Sequence, residues 1–417
     1  MKIIILGSGL LGVTTAYELG KRGFSVTVLE RKSGSAFETS HANGGQLSYS
    51  HAEPWASPNV LPKLPKWLIR DDSPLVFRPR ADMQMIKWGL SFFRNCTRTR
   101  AEVNTVNLLR LGLYSRERLH AIKNETGIEF NYSDKGILHI YSTLNDFEAG
   151  KKQVDFQAKF GGEERIITKE DVLALEPTLA YTSRNIVGGI HANHDESGDA
   201  RVFCEQLAEY ATKHYGVKFE YNVTINSLKT EDKKIIAVHT NKGDMEADGF
   251  VMAMGSYSSI HLRNIGIDVP IYPMKGYSIT IKANEFCPNL SLTDGSHKIV
   301  YSRLGDKLRV AGTAEFAGYD DAINEKRIVP IVRAVKELLP KADWNQEIEK
   351  WACLRPSTPD GPPIIGRTPY NNLLLNTGHG TLGWTQAAGS ATLVADIMEN
   401  KTPAILLHGL TLERYKK

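Results

Sequence analysis

Near its amino terminus the chain reads Ile3-Ile4-Ile5-Leu6-Gly7-Ser8-Gly9-Leu10-Leu11-Gly12. The apolar run that ends at Leu6 is typical of a strand buried on both faces of a parallel sheet. The residues after Gly12 predict a helix, and Val26-Thr27-Val28-Leu29-Glu30 predicts a second strand that ends in an acid. This order is the dinucleotide-binding fingerprint in its required context, whereas a glycine-rich turn in an unrelated α/β protein would not carry all of it. We therefore predict that the chain binds a dinucleotide.

Each position of this motif has its own physical task. Gly7 permits the tight turn, Gly9 lets the backbone approach a pyrophosphate, and Gly12 allows close packing of helix on strand. The helix amino terminus favours the phosphate charge, and Glu30 accepts hydrogen bonds from the adenosine ribose. The residues of this region that we predict to contact the cofactor are Gly7, Ser8, Gly9, Leu10, Leu11, Gly12, Glu30 and Arg31.

A second segment favours FAD over other dinucleotides. It reads Glu38-Thr39-Ser40-His41-Ala42-Asn43-Gly44-Gly45-Gln46 and follows the second strand. Its hydroxyls, amides and exposed backbone N–H groups suit a diphosphate and the polar edge of a flavin. An ordinary turn-rich loop is the alternative. The residues of this segment that we predict to contact FAD are Thr39, Ser40, Asn43, Gly44, Gly45 and Gln46.

Composition and charge exclude several classes of protein. The 417 residues are 41% hydrophobic and 24% charged, which is typical of a globular chain with about two domains. A net charge of +4 is too small to indicate a nucleic-acid partner. The cysteines lie far apart without a C-x-x-C pair, so we expect no disulfide framework and no zinc site. No apolar run suits a membrane span and the glycine motif occupies the place of a signal peptide, so we expect a protein on the cytoplasmic side.

The pattern along the chain predicts an α/β fold, with a Rossmann-like FAD-binding domain and an α+β substrate domain whose sheet is mostly antiparallel. After residue 50, prolines and tryptophans replace the strand pattern. The nucleotide domain resumes near Asp199, a plausible helix cap, and alternation from Tyr272 to Gly312 predicts antiparallel strands. We predict that the FAD-binding domain comprises residues 1–50, 196–262 and 352–417, and the substrate domain residues 51–195 and 263–351.

The last segment of the chain returns to the cofactor. A strand at Leu373-Leu374-Leu375-Asn376 leads into Thr377-Gly378-His379-Gly380-Thr381-Leu382-Gly383-Trp384, and a helix follows to Met398. The glycines let backbone approach the flavin, and the helix amino terminus stabilises negative charge on its ring. The residues that we predict to contact FAD here, together with two from the middle of the chain, are Val223, Gly255, Gly378, His379, Gly380, Thr381, Leu382 and Gly383.

Five motifs occur in a fixed order along the chain. Three are the FAD segments above, and the other two are Tyr272-Pro273-Met274-Lys275-Gly276-Tyr277-Ser278 and Leu354-Arg355-Pro356-Ser357-Thr358-Pro359-Asp360-Gly361. In this order they resemble the D-amino-acid oxidase/glycine oxidase superfamily of FAD enzymes, and most closely its bacterial D-amino acid dehydrogenases. The resemblance spans nearly the whole chain and implies a D-amino-acid oxidase-like fold, with a discontinuous FAD domain beside an antiparallel substrate domain.

This resemblance implies a reaction and the residues that perform it. The expected reaction is oxidative deamination of small D-amino acids, D-alanine first, to 2-oxo acids and ammonia by hydride transfer to FAD. Arg355 matches the arginine that binds the substrate carboxylate in glycine and D-amino-acid oxidases. Tyr277 and Tyr301 are further candidates to close the pocket or bind the carboxylate, or they are ordinary sheet residues. His379 is expected to act through its backbone, with proton transfer as the alternative.

The resemblance also implies a quinone or other respiratory electron acceptor rather than dioxygen. Sarcosine oxidases carry a lysine above the flavin that promotes reaction with dioxygen, and Val310 is expected at the corresponding position. The basic and aromatic stretch from Lys63 to Arg100 could lie peripherally on the inner membrane, or it could pack on the substrate domain. Its basic and aromatic residues are Lys63, Lys66, Trp67, Arg70, Lys87, Trp88, Phe92, Phe93 and Arg94.

Two other interpretations stay open at this point. One is an oxidase or dehydrogenase of glycine, sarcosine or hydroxyproline on the same scaffold. The other is a non-catalytic or RNA-directed flavoprotein, which would have no reason to keep Arg355 beside the flavin loop. Cys353 stands where sarcosine oxidases attach their flavin, but a buried inert thiol is favoured and we expect noncovalent FAD. We expect no metal in the site.

Overall fold

The computed structural model describes residues 1–65 and 73–416. Its strands, in chain order, are β1 (Lys2–Leu6), β2 (Ser25–Leu29), β3 (Gln46–Leu47), β4 (Leu75–Phe77), β5 (Ile137–Tyr141), β6 (Arg165–Ile167), β7 (Gly188–Ala192), β8 (Glu196–Ser197), β9 (Lys218–Glu220), β10 (Ile225–Glu231), β11 (Lys234–Thr240), β12 (Gly243–Met245), β13 (Gly249–Met252), β14 (Tyr272–Lys282), β15 (Ser291–Asp294), β16 (Ile299–Leu304), β17 (Lys307–Phe316), β18 (Glu349–Ser357), β19 (Ile364–Arg367) and β20 (Leu373–Thr377). Its α-helices are α1 (Leu10–Lys21), α2 (Met83–Asn95), α3 (Arg98–Thr126), α4 (Leu144–Ala158), α5 (Lys169–Leu175), α6 (Ala200–Tyr215), α7 (Ser258–Asn264), α8 (Glu325–Leu338) and α9 (Gly383–Met398). Short 3₁₀ helices lie at Pro58–Lys63, Pro177–Tyr181, Gly255–Tyr257 and Leu412–Tyr415.

The first sheet has the strand order β19-β20-β13-β1-β2-β9. Its strands run parallel except where β19 pairs antiparallel with β20. The centre of the sheet is β1, with Ile3 opposite Val26 on one side and Gly249 on the other. Helices α1, α6 and α9 cover one face, and the small sheet β10-β11-β12 covers the opposite face. Burial on both faces explains why these strands are continuous apolar runs in the sequence.

The second sheet follows the path β18-β14-β17-β16-β15-β5-β7-β6, and β4 pairs with β17. Strand β14 lies antiparallel between β17 and β18, with Ile279 opposite Val310 and Lys350. One face of the sheet packs its apolar side chains against α8. The other face is more polar, and Ser278 there donates to the backbone oxygen of Ala42 at 2.8 Å. This alternation is the physical origin of the period-2 pattern between Tyr272 and Gly312.

The expected fold class is confirmed, because a parallel layer lies beside a mostly antiparallel one. Two pieces of chain nevertheless lie elsewhere than the predicted boundaries imply. Residues 352–357 belong to β18 and thus to the second sheet, although they fall inside the segment 352–417. Helix α3 packs against α9 in the first layer, although it falls inside the segment 51–195. An apolar helix face does not reveal which sheet it covers, and the division into domains stays a prediction.

Polar side chains cap the starts of two helices and glycines end them, and the cap at Asp199 is the one that the sequence predicted. Asp199 Oδ1 accepts the N–H groups of Arg201 and Val202 at the start of α6, and Gly216 ends that helix at φ +66°. Thr97 caps the start of helix α3, and Gly127 ends it at φ +63°. No helix within residues 1–65 and 73–416 is long and apolar enough to cross a membrane.

Candidate active site

The glycine loop between β1 and α1 is fixed by close backbone contacts. Gly7 has φ +100°, which favours glycine, and its N–H donates to the Leu29 oxygen at 2.9 Å. A Cβ on Gly12 would lie 1.9 Å from the Gly7 oxygen, so α1 can pack on the turn only with glycine there. A Cβ on Gly9 would lie 3.5 Å from Ser40 Oγ, an ordinary contact. Gly9 is therefore open toward the space that a pyrophosphate would approach.

Glu30 ends the second strand and holds this loop. Its Oε2 accepts the Ser8 N–H and its Oε1 accepts the Lys32 N–H, each at 2.9 Å. Each carboxylate oxygen keeps a further lone pair, which a ribose hydroxyl can use. Ser8 is fully buried, and neither it nor Gly12 lines the cavity described below. Their place in the structure is to shape the loop rather than to touch a ligand.

A cavity of about 990 Å³ opens from the glycine loop and extends between the two sheets. The predicted cofactor residues that line it are Gly7, Gly9, Leu10, Leu11, Glu30, Arg31, Thr39, Ser40, Asn43, Gly44, Gly45, Gln46, Val223, Gly255, Gly378, His379, Gly380, Thr381, Leu382 and Gly383. Arg31 is held there by Glu38, and its guanidinium lies 4.1 Å from the ring centroid of Tyr257. The fold thus brings segments from both ends of the chain to one cavity.

The segment 38–46 crosses from the first sheet to the second. Ser40 Oγ accepts the first N–H of α1 at 3.1 Å, and Thr39 Oγ1 donates to a backbone oxygen of β18 at 2.9 Å. Gln46 Nε2 donates to Ser291 Oγ at 3.0 Å and to the backbone of β15. The Gln46 amide therefore anchors the segment to the second sheet. Asn43 Oδ1 accepts the Gly45 N–H at 2.9 Å and closes the turn that faces the cavity.

Arg355 lies in β18 at the cavity wall, largely buried. Its Nη1 donates to the Thr313 oxygen at 3.3 Å, and a Cβ on Gly276 would lie 2.2 Å from its Cζ. Among the residues that the structure describes, no carboxylate forms an ion pair with this guanidinium. Burial lowers the pKa of Arg355 to about 10, so the group remains charged at neutral pH. A buried cation without an acidic partner is chemically matched to an anionic ligand.

The two tyrosines differ in their relation to the cavity, since Tyr277 borders it and Tyr301 does not. Tyr277 borders the cavity, but its ring belongs to the apolar core against α8 and its hydroxyl donates to Glu315 Oε2 at 2.5 Å. That hydroxyl is committed to Glu315. Tyr301 is fully buried in the same core and does not line the cavity. Both side chains project from the core face of their strands, and the sequence does not show which face of a buried sheet meets a ligand.

Val310 lies in this core as well and does not line the cavity. It is fully buried opposite Tyr301, and the cavity is lined on β17 by Ala311, Gly312 and Thr313. The pleat of the strand turns Val310 away from the cavity.

The loop from Gly378 to Gly383 joins β20 to α9 and borders the cavity throughout. Gly378 has φ +80°, and a Cβ there would lie 2.9 Å from Thr358 Cγ2. The first residues of α9, Gly383 to Thr385, also line the cavity. N–H groups at a helix start have no intrahelical acceptor and favour negative charge nearby.

His379 carries the one ionisable side chain in that loop. Its Nε2 forms a hydrogen bond with Ser390 Oγ at 2.9 Å, while its Nδ1 is buried without a partner. Burial lowers the pKa of His379 to about 3, so the imidazole is neutral at physiological pH. Such a weak base suits the expected backbone role better than proton transfer.

Cys353 borders the same cavity beside the segment 38–46. Its Sγ lies 3.4 Å from Thr39 Oγ1. Burial raises the pKa of its thiol to about 11, so the nucleophilic thiolate is scarce at neutral pH. These surroundings agree with the expectation of noncovalent FAD.

The residues present fit FAD. Gly9 leaves room for a pyrophosphate, Glu30 keeps lone pairs for a ribose, and the start of α9 provides N–H groups at the cavity wall. The unpartnered Nδ1 of His379 lies in that same loop.

Sequence reasoning missed the polar end of the cavity. The polar residues that line it are His51, Glu53, His139, Asp146 and Lys298. The rings of His51 and His139 lie with their centroids 4.5 Å apart. These residues come from separate segments of the chain, so no spacing in the sequence could have joined them.

Comparison with known proteins identifies the family. The model of the DAO family, FAD dependent oxidoreductase, matches residues 2–397. The D-amino acid dehydrogenase of Paramagnetospirillum magneticum is 44% identical over 100% of this chain and 99% of that protein. D-amino acid dehydrogenase 1 of Mesorhizobium japonicum is 43% identical over 100% of both chains. The crystal structure of glycine oxidase from Geobacillus kaustophilus has a TM-score of 0.79 at 21% identity, covering 100% of this chain and 99% of that chain, and shares the fold.

The family match covers all of the segments that build the cavity, from the glycine loop to the start of α9. The fold, the glycine loop and the family agree on the cofactor. The chain therefore belongs to the DAO family of FAD-dependent oxidoreductases and is an FAD enzyme.

Proposed function

We propose that this enzyme oxidises small D-amino acids, with D-alanine as the first candidate, to 2-oxo acids and ammonia. The observation that carries the proposal is Arg355, a cation without an acidic partner in the cavity that the FAD segments line. The relatives that are 44% and 43% identical are named D-amino acid dehydrogenases, which supports both the amino acid class and the D configuration.

Arg355 binds and orients the substrate through its carboxylate in this proposal. A guanidinium presents parallel N–H donors that match the two oxygens of a carboxylate. Gly276 supports this geometry, because a larger residue would occupy the space of the Arg355 Cζ. A carboxylate held at this point leaves the α-carbon free to be directed toward the loop 378–383.

FAD, when bound, supplies the two-electron acceptor for the hydride that leaves the α-carbon. The start of α9 then stabilises negative charge at the cavity wall through its free N–H groups. His379 holds its place through Ser390 and stays neutral, so it adds no positive charge there. We assign no role in binding to the hydroxyls of Tyr277 and Tyr301.

We further propose that a quinone accepts the electrons and that the enzyme works peripherally on the cytoplasmic face of the inner membrane. Helix α2 supports a membrane contact. One side of α2 carries large apolar residues that are each at least 50% exposed, namely Met83, Ile86, Leu90 and Phe93. Lys87 and Arg94 belong to the same helix and suit an anionic lipid surface.

The opposite side of α2 packs beside the strand that carries Arg355. The Trp88 ring packs on Phe316, and its Nε1 donates to the Ser357 oxygen at 2.9 Å, near the end of the strand that carries Arg355. The helix therefore lies between an exposed apolar surface and the end of the strand that carries Arg355. Of the other residues named for this stretch, Lys66, Trp67 and Arg70 lie outside the described residues, as does the side chain of Lys63.

The central test is anaerobic reduction of the FAD enzyme by D-alanine and, in parallel, by L-alanine. We expect D-alanine to bleach the flavin absorbance and L-alanine to leave it unchanged. The reduced enzyme is then mixed with air or with a soluble quinone analogue in a stopped-flow instrument. We expect fast reoxidation by the quinone and slow reoxidation by air. The proposal would be refuted if L-alanine or glycine bleached the flavin and D-alanine did not. It would also be refuted if air reoxidised the flavin at the turnover rate with formation of stoichiometric hydrogen peroxide.

The membrane contact has a separate test. Leu90→Glu places a charge on the apolar side of α2, whereas Leu406→Glu changes a residue that is 73% exposed outside α2. We expect the wild type and Leu406→Glu to sediment with vesicles that contain phosphatidylglycerol, and Leu90→Glu to stay in solution. Equal binding of the two variants would exclude α2 as the contact.

A further inference from the structure

Three side chains at the polar end of the cavity form a compact cluster that the proposed reaction does not use. His51, His139 and Glu164 each offer one ligand atom, and these atoms all lie within 4.8 Å of one another. His51 Nδ1 lies 3.7 Å from Glu164 Oε1. His51 and His139 both line the cavity, so the cluster is open to it on one side.

The cluster is buried and its hydrogen bonds are incomplete. His139 is 3% exposed, and its Nε2 has no hydrogen-bond partner. The Glu164 side chain is 2% exposed and accepts one amide hydrogen bond, from Gln157 Nε2 at 2.9 Å. Asp195 is fully buried nearby; its Oδ1 accepts the Ser50 N–H at 2.9 Å, but its Oδ2 has no partner.

The two carboxylates of this region also lack a lysine or arginine partner in the described part of the chain. Within residues 1–65 and 73–416, neither Glu164 nor Asp195 forms an ion pair with a lysine or an arginine. A buried carboxylate is costly unless it is paired or coordinates a metal. A hydrogen-bonded His51–Glu164 pair alone would leave His139 Nε2 and Asp195 Oδ2 unsatisfied.

We propose that His51, His139 and Glu164 bind a first-row divalent cation such as zinc. Two imidazole nitrogens and one carboxylate oxygen form a donor set that binds transition metals more strongly than the hard cations calcium and magnesium. Three protein ligands would leave one coordination position free, and a ligand in the cavity could reach it because His51 and His139 both line the cavity. Asp195 interacts electrostatically with His51 and Glu164 and would balance part of the added charge. The ion would also tie the segment at His51 to β5.

The experiment measures zinc binding to the FAD-loaded protein after treatment with a chelator and dialysis. We expect isothermal titration calorimetry to show one zinc ion per chain, with magnesium much weaker. Loss of one ligand in Glu164→Gln or His139→Gln should weaken zinc binding at least about tenfold. The matched control is His194→Gln, which removes the exposed pair of His194 with Glu163 at 3.0 Å. This control should bind zinc like the wild type.

Two measurements separate loss of the site from loss of the fold. His51→Gln changes a ligand whose side chain is 36% exposed, so this variant should fold like the wild type even where His139→Gln does not. The flavin absorbance per chain and the melting temperature without zinc should match those of the wild type. The proposal fails if the wild type binds no zinc, if Glu164→Gln and His51→Gln bind it as tightly as the wild type, or if His194→Gln removes the binding.

Discussion

Two regions of the cavity differ in how their polar groups are satisfied: the nucleotide end, around Glu30 and Ser40, and the substrate end, around Arg355, Thr313 and His379. At the nucleotide end, Glu30 accepts two backbone N–H groups and Ser40 accepts a third. At the substrate end, Arg355 has no acidic partner among the described residues, and Thr313 Oγ1 and His379 Nδ1 are buried without hydrogen bonds. Each unsatisfied buried group costs about 1–3 kcal/mol. The nucleotide end is thus part of the folded scaffold, while the substrate end keeps its groups for a ligand.

The largest expected effect tests whether the nucleotide end is scaffold. In Gly12→Val the new Cβ would lie 1.9 Å from the Gly7 oxygen, so α1 cannot dock on β1 and the protein should not accumulate in soluble form. In Gly9→Val the Cβ meets only an ordinary contact with Ser40, so the protein should fold but come out colourless. Soluble yield, circular dichroism and flavin absorbance per chain measure the two outcomes.

A matched glycine controls for the substitution itself. A Cβ on Gly89, within α2, meets nothing within 4 Å, so Gly89→Val should be soluble and yellow. A yellow, fully loaded Gly9→Val protein would show that the backbone at Gly9 does not approach the cofactor.

The next effect, at the substrate end, should leave the scaffold intact. Arg355→Met removes the cation that we propose binds the substrate carboxylate, which should cost about 2–5 kcal/mol of binding. We expect the Michaelis constant for D-alanine to rise at least about tenfold while flavin absorbance and melting temperature stay near wild type. Arg355→Lys keeps the charge without the parallel donors, so its Michaelis constant should lie between those of the wild type and Arg355→Met. An unchanged Michaelis constant in Arg355→Met would move the carboxylate site elsewhere.

The same contrast explains how much the sequence could predict. The glycine loop and the Asp199 cap depend on residues that are neighbours in the chain, and local patterns located them. Tyr301 and Val310 project from strands whose two faces are both buried, so periodicity found the strands but not which face meets the cavity. His51 and His139 meet only because the segment after β3 folds against β5, a relation that no local pattern contains.

A smaller effect concerns how His379, in the loop at 378–383, makes the free energy of unfolding depend on pH. An unfolded histidine has a pKa of about 6.5, whereas burial lowers that of His379 to about 3. Between these values the unfolded chain binds a proton that the native chain does not. The free energy of unfolding should therefore fall as the pH falls from about 6.5 toward 3.

Replacing His379 isolates this contribution from those of other buried histidines. In His379→Asn the loss of stability between pH 7.5 and pH 5.5 should be smaller than in the wild type by about 1 kcal/mol. Urea unfolding of the FAD-loaded proteins at the two pH values measures the difference. His194→Asn, on the surface, should follow the wild type. Equal pH dependence of His379→Asn and the wild type would mean that folding does not lower the pKa of His379.

The smallest effect is expected at Cys353, which lies at the cavity wall between the two ends. Covalent attachment of a flavin requires a thiolate, and burial raises the pKa of this thiol to about 11. The Cys353 thiol also contacts Thr39 Oγ1, which belongs to the segment that holds the two sheets together. Acid precipitation should therefore release all FAD from the wild type and from Cys353→Ala alike. D-alanine should also reduce the flavin to the same extent in both proteins.

Cys96→Ala is the matched control, because Cys96 is a buried thiol that does not line the cavity and whose pKa burial likewise raises to about 11. Flavin that stays on the wild-type polypeptide and is lost from Cys353→Ala, but not from Cys96→Ala, would make Cys353 the attachment point and would give the cavity wall a covalent part in holding the cofactor.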